Sequence, residues 1–262
     1  MKRLLIFSAA LLSAVLCAET VEFKTKADFV KGAVTAGEDC LRSPVPGGGV
    51  EGKSFAVDPK RKIRLSGEFR AGKNSGGKID GILFGFVPYD AGGRQIVPEA
   101  VRPVNTGIFT LAQEVKAGDR TLKIKGDPKI INTAHIVVAF DAKGDLSDLP
   151  NYQLSPRLDP KSVRVAEGVI SVALREPMKF GRPAGTPVRF HSLDAMHIYT
   201  CGKIVPTEQW QTFSGEISGA AVRGVPRDRW WHGTKSAAPM FRYVGSQPRC
   251  ELEFRNIRVE IL

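Results

Sequence analysis

The chain is poor in the residues that build metal centres, reactive thiols and membrane spans. It has four cysteines and four histidines in 262 residues. No two cysteines stand in a CxxC pair, which removes the paired-thiolate metal site and the dithiol redox motif. There is no GxSxG elbow to carry a serine nucleophile, because Ser66-Gly67 and Ser214-Gly215 stand inside strand-like stretches. The glycines at 47 to 49 lack the lysine and helix that complete a phosphate loop. No cofactor signature is present, and none is expected to be needed. Beyond residue 18 nothing approaches the roughly 18 apolar residues of a membrane helix. Long stretches with helical apolar spacing are missing as well, so the chain is expected to be all-β.

The single long apolar run stands at the start. Lys2-Arg3 precede LLIFSAALLSAVL, and Cys17-Ala18 ends in a small residue before Glu19. Positive start, apolar stretch and small-residue exit make residues 1–18 a cleavable secretory signal, and the protein is expected to be secreted or periplasmic. Leu16 is too bulky to precede a lipidated Cys17, which argues against a lipoprotein. Loss of Lys2 and Arg3 with the signal lowers the formal net charge from +11 to +9. The basic residues are spread out, with Lys60-Arg61-Lys62 the one run of three. Together with export, that spread speaks against nucleic acid; a glycan, acidic or sulfated, or simply a basic surface fits better. Cys40, Cys201 and Cys250 remain after cleavage, an odd number, and a Cys40–Cys250 bridge is expected if first and last strands lie together.

Strand signals recur at short intervals with turns between them. RKIRLSGEFR (61–70) alternates, and IDGILFGFV (79–87) is nearly all apolar, as a strand covered on both faces would be. VRVAEGVISVAL reads as a hairpin turning at Ala166-Glu167-Gly168. The texture changes near Gly107 and returns after Tyr199 with WQTFSGEI, APMFRYV and ELEFRNIRVEIL. The expected architecture is therefore a jelly-roll β-sandwich, residues 19–106 plus 198–262, with a small β-rich insertion over 107–197.

IRLSGEFR, ILFGFVPYD, EQWQTFSGEI and FRNIRVEIL resemble the jelly-roll, galactose-binding-like carbohydrate-binding modules of secreted bacterial proteins. AGDRTLKIK, GVISVAL and RPAGTPVRF resemble a small β module that recurs in secreted bacterial and phage structural proteins. The first resemblance implies a non-catalytic carbohydrate-binding protein. The cysteines depart from that pattern, and no aromatic triplet marks a sugar cleft.

Candidate site residues follow from side-chain chemistry. Sugar binding needs flat aromatic faces with polar groups that fix hydroxyls. Trp230 and Trp231 in DRWWHGTK supply the former, with His232 and Arg242 beside them and Tyr89-Asp90 as a cleft rim. In extended chain the two indoles point opposite ways, so one is expected in the core and one partly exposed. The alternative is core packing beside a Gly233 turn, and Tyr89-Asp90 are equally explained as turn residues. Trp210 is expected to be core. RFHSLDAMHIY offers Arg189, His191, His197 and Tyr199, the cation and bases that a polysaccharide lyase on a β-sandwich would need. Asp145, Asp148 and Asn151 could hold calcium, but they lack the glycine and terminal glutamate of a dedicated loop and serve equally as turn caps. Three functions remain open: carbohydrate binding without catalysis, a lyase-like enzyme, and an extracellular structural or assembly protein.

Overall fold

The computed structural model describes residues 19–45, 48–72, 79–104, 107–126, 136–244 and 250–262, with the side chains of Val45 and Cys250 excepted. The expected signal segment lies outside them. Among the described residues no helix is long and apolar enough to cross a membrane.

The protein is an all-β sandwich. One sheet takes the order β16 (Gln211–Ile217), β7 (Ile63–Ala71), β18 (Cys250–Ile261), β4 (Leu41–Val45), β3 (Thr35–Ala36), with β1 (Glu19–Phe23) also on β18. The other runs β15 (Ile198–Ile204), β8 (Ile82–Tyr89), β17 (Ser236–Tyr243), β5 (Val50–Gly52), β2 (Phe29–Lys31), with β6 (Phe55–Ala56) also on β17. Chain neighbours β4/β5, β7/β8, β15/β16 and β17/β18 take matching places in opposite sheets. This repeated crossing is compatible with a jelly roll.

Alternation explains the layers. In β7, Ile63, Leu65 and Phe69 are shut inside while Arg64, Glu68 and Arg70 face out. In β18, Leu252 and Phe254 point inward, but the next inward residues are Ile257 and Val259. A strict two-residue period would break there. The register shifts between Arg255 and Arg258, and Asn256 takes φ 53°, so a bulge resets the alternation. Phe69, Phe84, Phe241 and Phe254 meet edge to face across the core, with centroids 4.9 Å apart for Phe69–Phe84 and Phe241–Phe254.

A third sheet, β11 (Ile136–Phe140), β14 (Pro187–Ser192), β9 (Phe109–Leu111), β10 (Thr121–Lys125), β13 (Val169–Ala173), β12 (Arg164–Ala166), is built wholly from chain between β8 and β15. It has its own apolar cluster around Leu122, Ile124, Phe140, Ile170, Val172 and Phe190. The β12–β13 hairpin turns on Glu167 and Gly168, both at positive φ (50° and 70°), as a two-residue hairpin turn requires. The short helix α1 (Pro98–Val101) and the segment after it join this sheet to the sandwich. Val104 N–H donates to Phe190 O and Ser192 N–H to Arg102 O.

The expected Cys40–Cys250 bridge is overturned. Cys40 is a free thiol. First and last strands do pair, but Cys250 stands opposite Val45 while Leu41 stands opposite Phe254. Cys40 is therefore displaced by five residues along the ladder, roughly 16 Å at about 3.3 Å per residue, far beyond the reach of a disulfide.

Candidate functional site

The two tryptophans of DRWWHGTK are both in the core, 0% and 1% exposed, so neither is an exposed platform. The expectation of one exposed ring assumed extended chain through both. Instead, Trp230 ends the strand-like pairing with a single bridge to Ala220, and a turn follows at once, with Thr234 N–H donating to Trp231 O. The turn frees Trp231 from the alternation, so it too packs inward. Trp230 packs on Phe86 at 5.1 Å and Trp231 Nε1–H donates to Pro226 O at 3.2 Å. Gly233 completes the turn at φ 83°, where a Cβ would sit 2.6 Å from Pro150 Cδ. His232 is half-buried beside them.

The lyase quartet divides between two places. Arg189 and His191 are fully buried in β14 where the third sheet meets α1. Arg189 donates to His191 Nε2 (3.0 Å), Lys143 O (2.8 Å) and Asp148 Oδ2 (2.7 Å), while His191 Nδ1 lies 2.6 Å from Glu99 O. Since Nε2 accepts from arginine, Nδ1 carries the proton and donates to Glu99 O. Burial, with the Arg189 charge adding to it, pushes His191 down to about 4. Both ring nitrogens are engaged and water is excluded, so this pair holds structure rather than a substrate.

The calcium candidates belong to the same network. Asp148 also accepts from Asn151 Nδ2 (2.9 Å) and Lys143 N–H (3.1 Å), and Asp145 accepts from Ser147 N–H. Their oxygens cap turns and pair an arginine. Among the described residues no group of three or more His, Cys, Asp or Glu side chains is arranged to hold a metal ion.

Asp90 is likewise consumed by structure. It accepts from the N–H groups of Gly92 and Arg94, and from Tyr152 Oη at 2.8 Å, while the Arg94 guanidinium lies over the Tyr152 ring. Trp210, expected in the core, instead lies on the outer face of the first sheet, held between the Arg70 and Arg255 guanidiniums at 4.4 and 4.2 Å.

Four remaining candidates gather on the outer face of the second sheet. A groove of about 300 Å³ there is lined by Lys31, Glu51, Val87, His197, Met240 and Arg242, with Gly48 and Gly49 on its border. Its floor is apolar, since Val87, Met240, Ala238 and Tyr199 form one buried cluster. Glu51, only 8% exposed, accepts from Tyr89 Oη and from Lys31 Nζ at 2.8 Å. That partnership and burial push the Tyr89 hydroxyl far above its usual range, with burial the larger cause. His197 Nδ1 lies 3.2 Å from Tyr199 Oη. Burial lowers His197 to about 4, and the nearby Arg242 charge acts in the same direction. Burial also raises Tyr199, against the pull of Arg242's charge and hydrogen bond. Arg242 itself is exposed, and among the described residues it has no carboxylate partner.

Lys31 and Glu51 were not singled out from sequence. Glu51 follows an uninformative glycine run, and nothing local marks a carboxylate that its sheet will bury. Gly85, in an apolar strand, carries a signal that could be read: a Cβ there would lie 2.0 Å from Ile198 O. The missing side chain lets β15 lie close against β8 where their register shifts, with His197 on the groove wall and Tyr199 in its floor cluster.

No protein-family model matches the chain, and comparison with curated proteins and with solved structures finds no match.

Proposed function

We propose that this is an exported carbohydrate-binding protein that acts without catalysis, and that its site is the groove on the outer face of the second sheet. The observation that carries the reading is the pairing of an apolar floor, Val87 and Met240, with convergent hydrogen-bonding groups: Glu51, Tyr89, His197 and an Arg242 that has no carboxylate partner among the described residues. A sugar offers this same combination, C–H faces for the floor and hydroxyls for the rim, and ligand sites are commonly built that way. Arg242 favours an acidic sugar, because a guanidinium binds a carboxylate or sulfate better than a neutral hydroxyl. A glycan array followed by titration calorimetry tests it. Arg242→Ala is expected to weaken binding by about tenfold to a hundredfold, the worth of a charge-assisted hydrogen bond, with the melting temperature unchanged. An array blank for every glycan defeats the reading.

One observation favours a second reading, a lyase-like enzyme. His197 is neutral, within hydrogen-bond reach of Tyr199 and beside Arg242, the set of groups that removes a proton next to a carboxylate held by a cation. Ultraviolet absorbance from unsaturated uronate product, lost in Tyr199→Phe, would establish it over simple binding.

A further inference from the structure

A second groove, of about 490 Å³, opens where α1 meets the third sheet, with Val97, Glu99, Val137, Leu154, Arg157 and Arg175 among its walls. Two features of it bear on what it could bind, and a second carboxylate, the exposed Glu176, stands on its wall beside Arg175. Arg175 N–H donates to Arg157 O at 2.9 Å, and Leu158 bridges Leu174. Arg157 and Arg175 therefore stand directly opposite one another across an antiparallel bridge, on one face, with Cβ atoms about 5 Å apart. Like charges so placed repel. Both are exposed, and among the described residues neither has an ion pair or a side-chain hydrogen bond. The second feature is Glu99, a half-buried residue on the groove wall whose Oε2 is turned away from solvent without a hydrogen-bond partner, so that Oε1 is the oxygen left to face the groove. Its backbone carbonyl is tied to His191, so the residue cannot swing away with its helix.

We propose that this groove binds a small hydroxylated organic anion of the uronate kind, its carboxylate between Arg157 and Arg175 and a hydroxyl donating to Glu99. The arginine pair supplies the doubled cation that a planar oxyanion matches. Glu99 supplies an acceptor that a bare inorganic anion cannot use and would be repelled by. The apolar residues Val97, Val137 and Leu154 give the ring a surface to cover. Sites at the junction of two packed units are common for small ligands, and the volume lies within their usual range. The inference does not depend on the groove of the second sheet.

Titration of the full chain with glucuronate, glucose and inorganic sulfate at low ionic strength, followed by amide NMR shifts, tests it. Glucuronate is expected to saturate and glucose to leave the resonances of this groove unmoved. In the Arg157→Gln, Arg175→Gln double variant glucuronate affinity falls at least about tenfold, and added salt weakens binding in the native chain. Glu99→Ala weakens glucuronate and leaves sulfate unchanged or tighter. Arg242→Ala, in the other groove, leaves these shifts intact. Should the double variant melt early, Arg157→Gln alone gives the same comparison. Unchanged glucuronate affinity in the arginine variants, sulfate binding as tightly as glucuronate, or loss of the shifts in Arg242→Ala would each overturn the proposal.

Discussion

Arg189 Nη2 lies 2.7 Å from Asp148 Oδ2, with the arginine side chain wholly out of water and the aspartate 7% exposed. This ion pair spans 41 residues of the third-sheet segment and, through His191 and Glu99 O, reaches the helix that leaves the sandwich. Among the described residues neither side chain makes a second ion pair. Removal of one leaves the other buried and unpaired, which costs far more than the pair itself contributes. Asp148→Ala is therefore expected to lose about 3–5 kcal/mol of unfolding free energy by denaturant titration. The double change Asp148→Leu, Arg189→Met should lose less than Asp148→Ala alone.

His191 makes the same junction sensitive to acid. Its folded value of about 4 lies below the ordinary 6.5, so between those values the unfolded chain binds the extra proton and the folded one does not. Stability is then complete above about pH 6.5, falls as pH drops toward 4, and levels off below it for this group. A depression of that size corresponds to about 3 kcal/mol. His197 has the same window for the same reason. Chemical denaturation between pH 4 and 7 should show a slope that His191→Asn and His197→Asn each reduce; a His191 variant with an unaltered slope would refute this account of the junction.

Trp230→Ala and Trp231→Ala should each cost about 3–5 kcal/mol, the scale of an aromatic deleted from a packed core. If the proposed groove binds glycan, that binding should persist in whatever fraction stays folded. A binding loss of a hundredfold with an unchanged melting temperature would return the site to DRWWHGTK.

The sandwich strands were legible because alternation is local. Ile63, Leu65 and Phe69 announce an inner face by themselves, and Glu167-Gly168 announce a hairpin. The candidate groove was half legible. Tyr89, His197, Tyr199 and Arg242 were named from chemistry, but their meeting depends on β8, β15 and β17 lying side by side, which no spacing states. The tryptophans misled because the period of two was carried across a turn that ends it. Arg189, Asp148 and Asn151 were named for reactive chemistry, whereas local turn bonds and the distant Arg189–Asp148 pair engage the polar atoms that made them look reactive. Sequence shows which groups are capable of chemistry; only the fold shows which are already satisfied.

The cysteines provide the last prediction. Cys40 and Cys201 are both free and partly buried, but their surroundings differ. Burial alone pushes Cys201 up to about 12, so at pH 8 only about one molecule in ten thousand carries its thiolate, the form that reacts. Cys40 is raised too, by burial and then by the Glu253 carboxylate, yet Arg42 beside it works in the opposite direction and its groove opens to solvent. Iodoacetamide applied to the native protein at pH 8 is therefore expected to modify Cys40 at least about tenfold faster than Cys201. Urea should erase the difference by returning both thiols to ordinary values. Peptide mapping without reductant should find no fragment that joins Cys40 to Cys250, because the β4–β18 register holds the two positions about 16 Å apart. A bridged fragment would require that register to slip by five residues. Such a slip would bring Leu252 and Phe254 out of the core, so finding the bridge would refute the sheet itself and not only the free thiol.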